Sequence, residues 1–230
     1  LVGAAGYLYI FPLLFPTQAP PPPALTLPTQ TETPPSAAAP EIPAAAAPHK
    51  SLLNASDSVA SAELIAVDAV SLSNAFQQEA QKSNPIGFLA ELTLNSAGGQ
   101  VSASALLSAL APEFSADVLK NILEEDFTTA LYYDENGMWP AYILKLKAEA
   151  SQVEAQTEIN KLESSPNLKN FFAADPGMPG TAFKTGQANG IATRYLTYAK
   201  KGAGLNIAWS GDKLIISTSY NGLKKILTSL

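Results

Sequence analysis

Cysteine is absent from this chain of 230 residues, and histidine and arginine each occur only once. Without a thiol the chain can form no disulfide, use no thiolate nucleophile and hold no cysteine-ligated zinc. The one histidine, His49, lies before the folded part, so neither a Ser-His-Asp triad nor a histidine-ligated metal is expected there. Beside Lys50, His49 is expected to be solvated. We therefore predict no catalytic residues, no cofactor and no metal site.

Positive charge is also scarce. The chain has 14 basic and 20 acidic side chains, a formal net charge of −6, and Arg194 is its single arginine. Proteins that bind nucleic acids rely on clustered Lys and Arg to neutralise phosphates. The charge balance therefore predicts that nucleic acid is not a partner.

Charge is missing altogether from residues 1–15, which read LVGAAGYLYIFPLLF. As a helix this segment would span about 22 Å at 1.5 Å per residue, whereas a bilayer core needs about 20 residues. Tyr7 and Tyr9 suit the membrane interface. We interpret the segment as the C-terminal part of a transmembrane helix, and the remnant of a secretory signal is the alternative.

Large apolar side chains are rare in the segment that follows. Twelve of the 18 prolines lie between Pro12 and Pro48, together with nine alanines, and only Glu32 and Glu41 are charged. Such a composition cannot bury enough surface to offset the entropy of ordering, and proline interrupts helix and sheet. We predict a disordered Pro/Ala-rich linker over residues 16–50 and one folded domain over residues 51–230.

The folded domain alternates short strands with helices. Strands are predicted at residues 62–70, 86–94, 127–133, 138–146, 181–185, 191–198, 205–209 and 213–218. Helices are predicted at residues 71–82, capped by Ser71 or Ser73, at 102–110, at 115–125, capped by Ser115, at 147–163 and from Tyr220 onward. Short connections between successive strands favour antiparallel pairing. We therefore predict an α+β fold, a twisted antiparallel sheet with helices packed mainly on one face.

The clearest local signal is Asn136-Gly137 between two β-rich runs. Asn-Gly is typical of a type I′ hairpin turn, which needs positive φ at both central residues. Pro140 predicts that the second strand begins irregularly or lies at a sheet edge.

Several motifs look like those of enzymes. Ser210-Gly-Asp-Lys213 and Lys184-Thr-Gly186 are similar to motifs of serine β-lactamases, but their order along the chain is reversed relative to that family. We interpret them as a turn and a strand end. The run Glu124-Glu125-Asp126 could supply carboxylates for acid–base chemistry, although adjacent carboxylates at a helix end are usually solvated.

Four aromatic residues are candidates for a partner-binding surface: Phe171, Phe172, Trp139 and Trp209. The two phenylalanines precede the loop AADPGMPG, and each tryptophan lies beside a predicted turn. Exposed aromatic side chains near loops often mark an interaction site. The alternative is that these rings fill the core beneath the loops.

This organisation resembles single-pass envelope proteins that carry an extracytoplasmic α+β domain on a proline-rich spacer. The resemblance implies a membrane-anchored, extracytoplasmic protein, periplasmic or at the cell surface. Its partners would be the membrane, through the N-terminal segment, and another envelope protein. We predict a non-enzymatic binding or scaffolding module for the assembly of envelope, pilus or secretion machinery. A hydrolase using carboxylates or a Ser/Lys pair is one alternative, and a carrier of a lipophilic ligand is another.

Overall fold

One nine-stranded sheet runs through the part of the chain that the computed structural model describes, residues 48–230. The predicted anchor and the linker as far as residue 47 lie outside the described residues. The strands are β1 (Ser58–Leu64), β2 (Leu89–Ser96), β3 (Gly99–Gln100), β4 (Leu123–Asp134), β5 (Gly137–Leu146), β6 (Lys184–Ala188), β7 (Ile191–Thr197), β8 (Ala203–Ser210) and β9 (Lys213–Ser219). The helices are α1 (Ala69–Ala80), α2 (Ala103–Leu110), α3 (Ala116–Ile122), α4 (Gln152–Ile159) and α5 (Tyr220–Leu227). Two short 3₁₀ helices, Asn160–Ser164 and Leu168–Phe171, lie between α4 and β6.

The strand order is β1-β2-β4-β5-β9-β8-β7-β6, with β3 beside β2. Neighbouring strands are antiparallel except β1 and β2, which run parallel. The fold is therefore mixed α/β, and the prediction of a purely antiparallel sheet is wrong at this edge. Strands β1 and β2 can run parallel because helix α1 provides the crossover connection that a parallel pair requires.

Helix ends differ from the predicted ones where a better cap is available. The carboxylate of Asp68 accepts a hydrogen bond from the Ser71 N–H (2.7 Å), so α1 is capped by Asp68 and not by Ser71 or Ser73. The predicted cap of α3 is confirmed, since the Ser115 hydroxyl accepts from the Val118 N–H. Helix α3 ends at Ile122, and the predicted helical residues that follow belong to β4.

The β4–β5 hairpin is confirmed, but its turn is of another type. Asp134 pairs with Gly137, and only Gly137 has a positive φ, of 139°. A type I′ turn needs two such residues. That requirement is met instead at the β6–β7 connection, where Asn189 and Gly190 have φ of 50° and 81°.

Strand β5 lies in the centre of the sheet, between β4 and β9, and not at an edge. Pro140 pairs with Leu131 of β4, whereas the ladder to β9 begins one residue later, at Ala141. Because Pro140 lies outside the ladder to β9, its lack of an N–H removes no hydrogen bond to that strand.

Different elements pack on the two faces of the sheet. On one face the ring of Tyr142 meets Phe76 of α1 and Phe171 in edge-to-face contacts, with centroids 6.3 and 5.8 Å apart. The opposite face carries α5, whose Leu223 and Ile226 are fully buried. Within residues 48–230, none of the helices has the length and apolar character that a membrane crossing requires.

Candidate functional site

A groove of about 550 Å³ opens on the sheet face that carries α5, over strands β6 to β8. We call it the tyrosine groove and define it by Tyr195, Tyr198, Tyr220, Lys200, Lys201 and Asn206. The alternation of side chains along a strand places Tyr195 of β7 and Asn206 of β8 on this face, where the two are direct cross-strand partners. The covering helix stops short of them, so this part of the sheet stays open.

One wall of the tyrosine groove is Tyr220, the first residue of α5. Its hydroxyl donates to the carbonyl oxygen of Gln187 on β6 (3.0 Å), so the side chain reaches across to the edge strand. The Lys224 ammonium lies 4.9 Å from the centre of its ring. Tyr220 is nevertheless 46% exposed, which leaves the ring available to a ligand.

The other wall is the turn between β7 and β8. The Lys200 ammonium lies 5.1 Å from the centre of the Trp139 ring, a cation–π contact that fixes its position. Gly202 packs against the same ring, where a Cβ atom would lie only 3.0 Å from Trp139 Cζ2. Lys201 is exposed. This wall therefore presents two ammonium groups. That of Lys200 is held over the Trp139 ring, and that of Lys201 is exposed.

The floor of the groove is formed by small and polar residues. Asn206 is buried, and its Nδ2 donates to the carbonyl oxygens of Gly204 (2.6 Å) and Ser217 (3.3 Å). A Cβ atom at Gly186 would lie 3.0 Å from the Tyr195 ring, so glycine there lets the ring lie across β6. At Gly204 an added Cβ atom would be in ordinary van der Waals contact, 3.5 Å from the Leu196 carbonyl oxygen.

The four aromatic residues predicted to bind a partner lie mostly in the core. Phe171, Phe172 and Trp139 are 4% exposed or less, which corresponds to the alternative in which the rings fill the core. Trp209 is half-buried, and its Nε1–H donates to Gln156 Oε1 of α4 (2.7 Å). Burial leaves the first three rings no surface to offer a partner, so their prediction as a binding surface is not supported.

Two of these rings support the tyrosine groove from below. Phe172 contacts Tyr198 with centroids 4.8 Å apart, and Trp139 holds Lys200 as described above. The aromatic residues singled out in the sequence therefore belong to the inner layer of side chains beneath the groove. Of the groove tyrosines, Tyr195 lies in an ordinary alternating strand pattern, Tyr198 follows that strand and Tyr220 begins α5, so they carried no comparable signal in the sequence.

Charge divides sharply along the described chain. Residues 176–230 contain seven basic side chains and one acidic one, Asp212, whereas residues 48–175 contain seven basic and 17 acidic ones. The two parts together carry −4, and Glu32 and Glu41 supply the rest of the net charge of −6. The tyrosine groove is built almost wholly from the basic part, so a charge count by segment would have drawn attention to it.

Tyr198 of the groove is unsuited to acid–base catalysis near neutral pH. Burial raises the pKa of Tyr198 to about 12. A general acid or base works best when its pKa lies near the working pH. Lysines and tyrosines instead provide positive charge, hydrogen-bond donors and flat apolar surface.

The motifs that look like those of enzymes have structural roles here. Ser210 and Lys213 are paired residues that close the β8–β9 turn, and Lys184-Thr-Gly186 lies on edge strand β6. Within residues 48–230, no hydrogen bond joins the Ser210 hydroxyl to the Lys213 ammonium. The carboxylate of Glu125 accepts from the Ser104 hydroxyl (3.0 Å), and that of Asp126 contacts His49.

A second polar cluster lies on the same sheet face at the far side, around His49. Its Nδ1 is 2.6 Å from Asp126 Oδ1 and its Nε2 is 2.6 Å from Glu91 Oε1. Gln100 Nε2 also donates to Asp126 Oδ1 (2.7 Å), and the Ser51 hydroxyl donates to Glu91 Oε2 (2.7 Å). The expectation of a solvated histidine is wrong, because two carboxylates that are distant in sequence meet its ring. We call this set the His49 clasp.

The two short contacts require a protonated ring. Neutral imidazole has one N–H, whereas both nitrogens of His49 face carboxylate oxygens, so only the imidazolium satisfies both. Burial opposes that charge, but hydrogen bonds and attraction from Asp126 and Glu91 outweigh it and raise the pKa of His49 above its ordinary value. The clasp fixes the start of the folded region: the Lys50 N–H donates to Asp126 and the Leu52 N–H to Thr128.

Within residues 48–230, no group of three or more histidine or acidic side chains is arranged to hold a metal ion. Comparison of the chain with protein-family models, with curated proteins and with solved structures finds no match.

Proposed function

We propose that this protein is a non-enzymatic binding module and that the tyrosine groove is its binding site. The observation that carries the proposal is the uncovered stretch of sheet between Tyr220 and the Lys200-Lys201 turn. Aromatic side chains in a recess supply large, rigid contact area, and tyrosine is among the residues that contribute most to binding energy at interfaces.

The state of the core supports a binding module over a carrier of a lipophilic ligand. A carrier would hold its ligand between sheet and helices, but the fully buried ring of Tyr142 lies there in contact with Phe76 and Phe171, which are also fully buried. The edge strands β1 and β6 each have one neighbour, which leaves backbone groups for a partner and suits a scaffolding role.

The hydrolase alternative is less well supported. Its carboxylates have other tasks, since Asp126 and Glu91 bind His49 and Asp134 Oδ1 accepts from Trp139 Nε1 (2.8 Å). A Ser/Lys pair would need a hydroxyl within hydrogen-bond reach of a lysine that can accept its proton. We therefore place binding ahead of catalysis.

The wider context is also part of the proposal. Residues 1–15 would anchor the protein in a membrane and residues 16–50 would form the extracytoplasmic spacer, in an envelope, pilus or secretion assembly. The His49 clasp would then be the point at which the spacer joins the sheet. A force applied along the spacer would therefore act on the clasp before it acted on any strand.

A photo-crosslinking amino acid in the full chain, expressed in its native cells, tests the proposal. Position 197 is exposed beside the groove, and position 153, an exposed valine on α4, is the matched control. We expect a specific crosslinked product from position 197 that is absent from position 153. Identical products from both positions, or none from position 197, would contradict the groove as a binding site.

Extraction of the same cells with alkaline carbonate tests the anchor. We expect the full chain to stay in the membrane pellet and a chain lacking residues 1–15 to be released. Release of both would contradict the membrane-tethered part of the proposal and leave the groove unaffected.

A further inference from the structure

We infer that the ligand of the tyrosine groove is an acidic, extended peptide segment of a partner protein. This inference rests on the proposed function and adds the chemistry of the ligand. A site for such a peptide needs positive charge, aromatic surface for the chain to lie against and acceptors for peptide N–H groups. The groove has all three.

Charge complementarity is the first part of the argument. Lys200 and Lys201 form one wall, Lys224 lies over Tyr220 in the other, and Asp212 is the single acidic residue among the last 55. An excess of one charge around a recess attracts ligands of opposite charge and speeds their association. The acidic residues of the neighbouring hairpin tip, Asp134 and Glu135, do not line the groove.

Preorganisation is the second part. The contact with Trp139 fixes the Lys200 ammonium before a ligand arrives, and the hydrogen bond to Gln187 holds the Tyr220 ring. Groups that are already in place lose little entropy on binding. Asn206 adds an acceptor: its Nδ2 is bound to two carbonyl groups, and among residues 48–230 its Oδ1 accepts no hydrogen bond.

Shape and residue type favour a peptide over other anions. A lipid bilayer is flat and cannot reach the floor of a recess. Phosphate-rich ligands are best held by the guanidinium fork of arginine. Arg194 is occupied elsewhere, since its Nε donates to Glu163 Oε1 (2.7 Å) and its Nη1 to Thr185 (2.9 Å). A peptide with Asp or Glu side chains can meet the ammonium groups and also donate backbone N–H groups.

Selection from a library of short random peptides displayed on phage, with the full chain as the immobilised target, tests the inference. We expect the selected peptides to be enriched in Asp and Glu. The variant Lys200→Glu/Lys201→Glu should weaken their binding by about tenfold or more, because like charges then oppose each other. Lys145→Glu/Lys213→Glu is the matched control, since it reverses the same number of charges on two paired residues at the opposite strand end, and it should leave binding unchanged.

The other outcomes separate this inference from the proposed function. Peptides without acidic enrichment that need Tyr195 and Tyr220 would overturn the acidic ligand and keep the groove as the binding site. Binding of a single-stranded oligonucleotide or of anionic phospholipid vesicles, lost in the double lysine variant while no peptide is selected, would do the same. If no binding of any kind depends on groove residues, both the inference and the proposed function fail.

Discussion

Strands β2 and β4 are covered on both faces, whereas β7 and β8 are open on one face along the tyrosine groove. The covered strands lie under helices on one side and under the His49 clasp on the other, and their part of the chain is strongly acidic. The open strands belong to the basic part. The same antiparallel pairing therefore serves two purposes, a filled core at one side of the sheet and a recess at the other.

The difference shows how a sheet keeps a binding face without losing stability. Along the groove the sheet carries the half-buried ring of Tyr195 and the polar side chains of Thr193 and Asn206, which are themselves buried, so no large apolar side chain is left in water. On the covered strands the corresponding positions hold groups such as Glu91, which water cannot reach and which need a partner inside the fold.

The comparison predicts its largest effect for a core residue on the helical face. Phe76→Ala should lower the free energy of unfolding by about 3–5 kcal/mol, because the lost ring leaves a cavity against Tyr142. The matched groove variant Tyr220→Ala should cost less than about 1 kcal/mol, since this side chain is half exposed. Urea unfolding of both variants measures the contrast. Equal losses would mean that the groove wall is part of the core.

The His49 clasp should have the next largest effect. His49→Ala removes the partner of buried Glu91 and should cost about 1–3 kcal/mol near pH 6. Protease sensitivity near residue 50 should rise in the same variant, since the Lys50 and Leu52 contacts lose their support. Ser51→Ala, which removes a smaller contact to the same carboxylate, is the graded control. No change in either measurement would contradict the clasp.

The stability that the clasp contributes should also depend on pH in a defined direction. The folded pKa of His49 is raised, so the imidazolium contributes its full stability below about pH 6.5, its unfolded value. That stability is lost as the pH rises through the folded pKa. The difference between the wild type and His49→Ala should therefore shrink from pH 6 towards pH 9 in urea titrations. A difference that grew with pH would show that the neutral ring forms the contacts.

A smaller effect is expected at the hairpin that the sequence identified. Gly137→Ala should cost about 1–2 kcal/mol, because an L side chain is strained at positive φ. Gly98 is the control, since its φ is not positive and a Cβ there would meet no atom within 4 Å. Thermal unfolding of Gly137→Ala and Gly98→Ala makes the comparison. Equal midpoints would show that the turn rearranges at no cost.

The smallest effect on stability is expected for the groove lysines. Lys200→Gln/Lys201→Gln should change the free energy of unfolding by less than about 0.5 kcal/mol, since both ammonium groups lie at the surface. Urea unfolding of this variant, compared with Lys213→Gln, checks that the two lysines serve binding and not folding. A large loss would remove the distinction between the open and the covered side of the sheet.

Local signals in the sequence predicted local structure well. The sequence correctly predicted Ser115 as a helix cap and a hairpin around Asn136-Gly137. It also predicted the C-terminal strands and the last helix to within a few residues of their observed bounds. Each of these depends on neighbouring residues alone, through side-chain capping, positive φ at glycine or alternation of apolar residues. The order strand, helix, strand over residues 58–96 also carried the signal for a parallel pair.

The errors fall where distant residues meet. Asp126 follows Glu125 in what looks like a helix end, but it lies at an irregularity of β4 between Leu123 and Phe127. An irregularity of this kind redirects side chains, and here the carboxylate meets His49, 77 positions away. The sequence left Phe172 and Trp139 open between a partner-binding surface and the core, because proximity to a loop gives no information about what lies on top of a ring, and the structure buries both.

By itself the sequence determined the positions of most strands and helices, the absence of cysteine chemistry and the uneven distribution of charge, because these depend on composition and on near neighbours. Only the tertiary structure decided which sheet face stays open, which aromatic rings are buried and which carboxylates bind His49. Those outcomes follow from strand order, and strand order depends on contacts between residues far apart in the chain.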